Sequence, residues 1–337
     1  MGKLKILYTQ PSYSPFFELG SIIPDVLIHE LGHSVMCVST GWHEGDAIAT
    51  RVLDKDGNVQ YDIQKNHKEA IFRVWMNDTA NKLERIVSQF DFDVFISFIG
   101  DRIPIQTIEK IKDEKISTLN WDEIDPEPDH KILYLVKKKD TIYSYMPPSF
   151  WHKVRAYDAV FSAYYFTPNW MPLSGYSKLY EPEDVERTID VGFVGNVENQ
   201  IRKPWIELFS EFKITSLKKP SSYYSVKNLY KRCKIVINSH QNSTLNGRVF
   251  EAPANGALLI TDYAPGLEEC FEIGEEIVLA KNTGVEEVRY FLENPDEAEK
   301  IAKAGYERTI KDHQFKDRLS EMIERTLSGD VWTWKKE

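Results

Sequence analysis

The sequence predicts an α/β protein of two Rossmann-like domains facing across a cleft, and three observations predict it. Two stretches, 4–39 and 233–261, each run from a short apolar segment through a helical segment stopped by glycine to a second apolar segment. That alternation is the βαβ pattern of a parallel sheet. The chain has 337 residues, enough for two domains with separate cores. Between the two stretches, 174–187 is polar, carries Pro182 and several charges, and reads as a linker.

The first domain, 1–173, opens with the apolar run Leu4 to Tyr8. A loop follows, then a helix that Ser21 can cap and Gly32 stops, then a second strand from Ser34 to Ser39. No G-x-G-x-x-G occurs here, which argues against a dinucleotide site in this half. His29, Glu30 and His33 do spell H-E-x-x-H, a zinc-protease signature that needs both histidines on one helix face. Gly32 interrupts that helix, and the extended form of the motif would need glycine at Met36 and histidine at Ser39. The motif therefore reads as a helix terminus.

Further on, Asp54 to Asn58 reads as the turn of a hairpin, 66–89 as a helix and Phe92 to Phe98 as a buried strand. Asp91 and Asp93 form a D-x-D at the start of that strand, the wrong end of a parallel sheet for a ligand, so they read as punctuation. A helix over Thr107 to Lys112 and strands at Ile116 to Asn120 and Tyr157 to Ser162 complete the domain. Two loops at strand ends hold candidate catalytic groups. One carries Trp42, His43, Glu44 and Asp46; the other carries Asp122, Glu123 and Asp125. His43 and Asp122 are the candidates for proton transfer, although an ordinary polar loop and a solvated acidic turn would look the same.

The second domain, 188–313, begins with the strand Ile189 to Val194, which ends in Gly195-Asn196 with Arg202 and Lys203 before a helix. Such a glycine turn before a helix start suits a phosphate. The strand Lys234 to Asn238, the polar loop His240 to Asn246, a helix from Arg248 that Pro253 confines, and the strand Ala257 to Thr261 follow. Ser243, Thr244, Asn246, Arg248 and Glu251 lie at one strand end, and Asp262 to Gly266 at the next. These groups suit a ligand with phosphate and hydroxyl groups. Helices at Gly284 to Leu292 and Asp296 to Ile310 close the domain, and Phe315 to Leu327 begins the last segment, 314–337.

Composition narrows the partners. A net charge of -10 argues against nucleic acid, whose binding needs a basic face. Three widely spaced cysteines, Cys37, Cys233 and Cys270, suggest neither a disulfide framework nor a zinc cluster. No run approaches the roughly 20 apolar residues of a membrane span, and the amino terminus turns polar too early for a signal peptide. The expected location is cytoplasmic.

The pattern N-x-R-x-F-E-A-x-A-x-G-A-L-L-x-T-D-Y from Asn246 to Tyr263, with Gly274, Glu275 and Glu276 beyond, resembles the donor half of GT-B glycosyltransferases. Within them it is most similar to the CgeB-like group, named after a spore-maturation protein. The acidic cluster and Pro126 after Trp121 carry the resemblance into the first half. It implies a nucleotide-sugar donor (UDP-, GDP- or dTDP-linked) and transfer of a hexosyl or related group to a protein or glycan hydroxyl. It also implies that Glu251 bonds the ribose and Arg248 faces the diphosphate, and that the terminal helix crosses back to the first domain. Gly195, Asn196, Arg202, Ser243, Thr244, Asn246 and Gly266 complete the donor site it implies. With Arg248 and Arg202 offsetting the leaving-group charge, no divalent metal and no cofactor are expected. The better-known retaining group has a glutamate where Ser243 stands, so the anomeric outcome does not carry over. The alternatives are a non-catalytic sugar- or nucleotide-binding envelope protein and a sugar-nucleotide epimerase of the same fold.

Overall fold

A computed structural model describes residues 2–10, 22–39, 52–53, 59–60, 79–98, 103–122, 153–165, 167–176, 185–195, 202–217, 223–240 and 244–333. The chain divides into two compact units. The first comprises Met1–Ile124, Met146–Ser162 and Leu319–Glu337; the second comprises Asp125–Tyr145 and Ala163–Arg318.

In the first unit, β1 (Lys5–Gln10), β2 (Ser34–Ser39), β5 (Val94–Phe98), β6 (Ser117–Asp122) and β7 (Ala159–Ser162) form one parallel sheet in the order β2-β1-β5-β6-β7. The short strands β3 (Val52–Leu53) and β4 (Val59–Gln60) pair antiparallel, which is the expected hairpin; its turn residues lie outside the described ones. Ile6, Leu7, Tyr8, Val94, Phe95 and Leu119 are fully buried. A strand covered on both faces needs apolar groups at successive positions, which is why these segments read as continuous apolar runs. Residues 79–87 are helical, as is Ile105–Asp113, which buries Thr107, Ile108 and Ile111. The rest of the helix expected over 66–89 falls outside the described residues. In Leu319–Glu337, Leu319, Met322 and Ile323 are buried, and the Arg325 guanidinium stands 5.2 Å over the Phe161 ring.

The histidine pair of the zinc-like motif is split by backbone geometry. A helical segment runs from 22 to 30, its last turn Val26–Glu30 widened into a π-helix, and Gly32 at φ +74° turns the chain out of it. His29 is exposed beside Asp25, whereas His33 is buried, accepts the Leu4 N–H at 3.3 Å and has its pKa lowered, chiefly by burial. Among the described residues no cluster could hold a metal ion. Asp93 serves the sheet itself, its carboxylate accepting the Lys5 N–H at 2.7 Å where β1 begins.

The second unit repeats the architecture with β8 (Ile189–Val194), β9 (Ile214–Leu217), β10 (Cys233–Asn238), β11 (Leu258–Thr261) and β12 (Val278–Leu279), in the order β12-β11-β10-β8-β9. All described pairings in this sheet are parallel. Sequence reading missed β9, a half-buried edge strand of four residues whose period carries little signal. Its helices are Arg202–Glu207, Tyr223–Tyr230, Arg248–Ala254, Leu267–Cys270, Val285–Glu293 and Pro295–Asp312, and Phe315–Ser328 begins in it. The helix Pro295–Asp312 shows why such a segment settles where it does. Asn294 precedes a proline at its first turn, and Ala298, Ile301, Ala302, Gly305 and Thr309 form one buried stripe. Val191, Phe193, Ile235, Ile237, Leu258, Ile260 and Val288 form the core beneath.

Candidate functional site

In an open parallel sheet, ligands bind beyond the carboxyl ends of the strands where the strand order reverses. In the second unit β8 pairs with β9 on one side and β10 on the other, so the reversal lies between β8 and β10. Arg248 stands there. Its Nη1 donates to the Val194 carbonyl at the end of β8 at 3.2 Å, and its Nη2 to the Ser239 carbonyl just past β10 at 3.3 Å. Its Nε donates to Asn238 Oδ1 at 2.7 Å, and the guanidinium lies 5.9 Å from the Phe193 ring centre. A cation is thereby fixed across two strand ends by three neutral oxygen acceptors.

Asn238 links the cluster. Fully buried at the end of β10, it accepts Arg248 Nε and Asn246 Nδ2 (3.2 Å) on its oxygen. Its Nδ2 donates to Thr261 Oγ1 at 3.0 Å and faces His240 Nε2 at 3.4 Å. Asn246 Oδ1 in turn accepts the Arg248 N–H at 3.2 Å, fixing the first turn of the helix. Asp262, just past β11, accepts the His240 N–H at 2.8 Å, its ring Nδ1 at 2.6 Å and Ser239 Oγ at 3.2 Å. Asn238, His240 and Asp262 were not expected to act together. In sequence they read as a strand end, a loop and a turn, and only parallel pairing of β10 with β11 makes them neighbours.

Several expected donor residues gather near this cluster. Glu251 lies one turn after Arg248, half-buried, with its carboxylate folded back over Gly247. Tyr230 was not singled out in the sequence. Its fully buried hydroxyl has no hydrogen-bond partner among the described residues and is pushed well above the usual phenol range, first by burial, then by Glu251, with Arg248 opposing. Thr244 forms an isolated antiparallel bridge with Tyr164, and its buried Oγ1 has no hydrogen-bond partner among the described residues.

Two glycines of the expected donor site also have partners within the fold. The Gly195 N–H donates to Leu217 O at 3.0 Å, extending the pairing of β8 with β9. Gly266 adopts φ +90° with its open face against Tyr165 and Trp170. A Cβ there would lie 2.6 Å from one ring and 2.8 Å from the other. Its smallness is required by aromatic packing. Arg202 begins a helix and Asp122 ends β6, their side chains lying outside what is described. His43, Asn196 and Ser243 lie outside the described residues altogether.

The first unit has its own reversal, between β1 and β5. Thr9, Ser97 and Asn120 share one register across β1, β5 and β6, and all three are buried. Among the described residues, Ser97 Oγ and both amide atoms of Asn120 have no hydrogen-bond partner. Unsatisfied polar groups at this depth are rare in proteins.

Comparison with known proteins agrees with this layout. Residues 182–324 match a family model described as glycosyl transferase-like. No curated protein matches the chain. Among solved structures, a glycosyltransferase from Rickettsia africae ESF-5 is 14% identical with a TM-score of 0.60, covering 98% of this chain and 99% of that one. Anabaena Alr3699/HepE in complex with UDP-glucose is 10% identical with a TM-score of 0.58, covering 96% and 100%. The UDP-GlcNAc 2-epimerase from Neisseria meningitidis bound to UDP-GlcNAc is 12% identical with a TM-score of 0.52, also covering 96% and 100%. Among the described residues no helix is long and apolar enough to cross a membrane. The chain thus has the fold of these structures, two parallel-sheet Rossmann-like domains, and its residues 182–324 match the glycosyl transferase-like family model.

Proposed function

We propose that this protein is a cytoplasmic, CgeB-like glycosyltransferase that moves a sugar from a nucleoside-diphosphate sugar to a hydroxyl of a protein or glycan acceptor. The observation that carries the reading is Arg248, tied to the ends of β8 and β10 where the sheet order reverses. A cation held in advance at that point offsets the charge that develops on a departing diphosphate, and costs no reorganisation as the bond breaks. Glu251, in the next turn, offers a carboxylate to ribose hydroxyls. The glycosyl transferase-like match over 182–324 and the shared fold of the UDP-glucose complex support a nucleotide-sugar donor.

On this reading the leaving group needs no divalent ion. Arg248 and Arg202 take the part a metal plays elsewhere, and Asp122, at the carboxyl end of β6, takes the acceptor proton. The test is to incubate the protein with UDP-, GDP- and dTDP-sugars and a panel of hydroxyl acceptors, in chelator, and to follow release of nucleoside diphosphate. Release that depends on acceptor and survives chelator is expected. Activity lost with chelator and restored by manganese would overturn metal independence. Isomerisation of the donor without acceptor would replace the transferase with an epimerase.

A further inference from the structure

Resting on the donor-site reading above, we propose that Asn238 is the positioning residue of that site. It orients Arg248 toward the diphosphate, and the His240–Asp262 pair orients Asn238.

The orientation of the Asn238 side chain follows from its neighbours. Two donors, Arg248 Nε and Asn246 Nδ2, converge on one end of the amide at 2.7 and 3.2 Å. A flipped amide would present its NH2 group to both, setting donor against donor, so the oxygen must face the arginine. The NH2 end then meets Thr261 Oγ1 at 3.0 Å and His240 Nε2 at 3.4 Å. Thr261 can accept because its own hydroxyl donates to the Asp262 carbonyl at 3.0 Å. His240 Nε2 can accept because Asp262 Oδ1 takes the proton on Nδ1 at 2.6 Å, which fixes the tautomer. Every donor has an acceptor along the path Asp262, His240, Asn238, Arg248, and the path runs one way.

Geometry explains why this matters for binding. The guanidinium is planar with five N–H groups in a fixed fork, so its value to a diphosphate depends on its rotation as well as its place. Nε anchored to Asn238 sets that rotation. A neutral amide does so without a second charge, whereas a carboxylate at 238 would pair with the arginine and compete with the phosphate oxygens. The identity of the residue, asparagine and not aspartate, therefore serves the ligand.

The test uses the full chain and calorimetric titration with UDP, GDP and dTDP, each against its own nucleoside. The proteins are wild type, Asn238→Asp, Asn238→Ala, Arg248→Ala and the Arg248→Ala/Asn238→Asp double variant, with thermal melts confirming folding. For the diphosphate that binds wild type, Asn238→Asp is expected to lose tenfold or more in affinity, with the matching nucleoside changed less than twofold. The double variant should bind no worse than Arg248→Ala, because two residues acting through one interaction are not additive. Equal losses for diphosphate and nucleoside, or additive losses in the double variant, would assign Asn238 a merely structural role and overturn the proposal. So would wild-type affinity in Asn238→Asp. Should no diphosphate bind wild type, the donor-site reading itself falls and takes this proposal with it. Asn238→Ala separates the two effects of the substitution: a smaller loss than in Asn238→Asp is expected, and a larger one would overturn the charge argument.

Discussion

Asp262 accepts two hydrogen bonds from His240, one from the backbone N–H at 2.8 Å and one from ring Nδ1 at 2.6 Å. The two residues follow adjacent parallel strands, so this one carboxylate joins the loops beyond β10 and β11. The ring is almost wholly buried and the carboxylate partly exposed.

Donor binding should be visible as stability. With a nucleoside diphosphate at 100 times its dissociation constant, wild type should gain about 2.7 kcal/mol. For a chain of this size that corresponds to a rise of about 4 °C in melting temperature. Arg248→Ala and Glu251→Ala should each abolish most of the rise. An unchanged rise in either variant would remove that residue from the site.

Arg187 should matter to stability without touching the site. Its guanidinium donates to the Cys233 carbonyl at 2.6 Å, the Asn255 carbonyl at 2.9 Å and the Tyr230 carbonyl at 3.3 Å. Burial pulls its pKa down, so these bonds hold a largely desolvated charge. Arg187→Met should cost about 3 kcal/mol, because three carbonyls lose a charged donor together. Arg187→Lys should recover only part of this, since an ammonium cannot reproduce the fork. Urea denaturation checks both.

His313 should make stability fall in mild acid. Its Nε2 donates to the Cys270 carbonyl at 2.6 Å and its Nδ1 accepts from Arg318 at 2.9 Å, so the neutral ring is satisfied on both sides. Burial above all, against the pull of the Cys270 carbonyl, lowers its pKa to about 4. The unfolded chain titrates near the ordinary value of about 6.5 and binds the extra proton first. This contribution is therefore complete above about pH 6.5 and shrinks as pH falls, by about 3 kcal/mol at pH 4. His313→Gln should flatten the wild-type profile between those values in denaturant titrations. Parallel profiles would refute the assignment.

Gly266→Ala should destabilise the second unit by about 2 kcal/mol or more, because φ +90° is strained for alanine and its methyl would meet two rings. A melting temperature equal to wild type would show that Tyr165 and Trp170 yield easily.

Asn120→Leu should raise stability by about 1–3 kcal/mol, since it replaces two buried polar atoms that have no partner among the described residues by an apolar side chain of the same branched shape. A fall in stability would mean that the amide is satisfied in solution.

The local sequence determined the elements and the places where they stop. Val191, Ile235, Leu258 and their neighbours form unbroken apolar runs because a parallel strand is buried on both faces, and such runs are legible without a structure. The same holds for the helix stopped by Gly32, whose positive φ was implied by its place before a strand. Arg248 and Glu251 were legible as a pair because they share one helix. The tertiary structure decided what those residues touch. Asn238, His240 and Asp262 meet only through the β10–β11 register, across more than twenty residues of chain, and no local period encodes that pairing. The same applies to the Gly195 amide, which pairs with an edge strand of four residues. It applies also to Gly266, whose neighbours Tyr165 and Trp170 lie about a hundred residues earlier in the sequence. Propensity and apolar periodicity act over a few residues, so the sequence read alone yields the strands and the helix stops. Hydrogen-bond partners and close packing depend on which strand ends lie side by side, and the assembled sheet settles that.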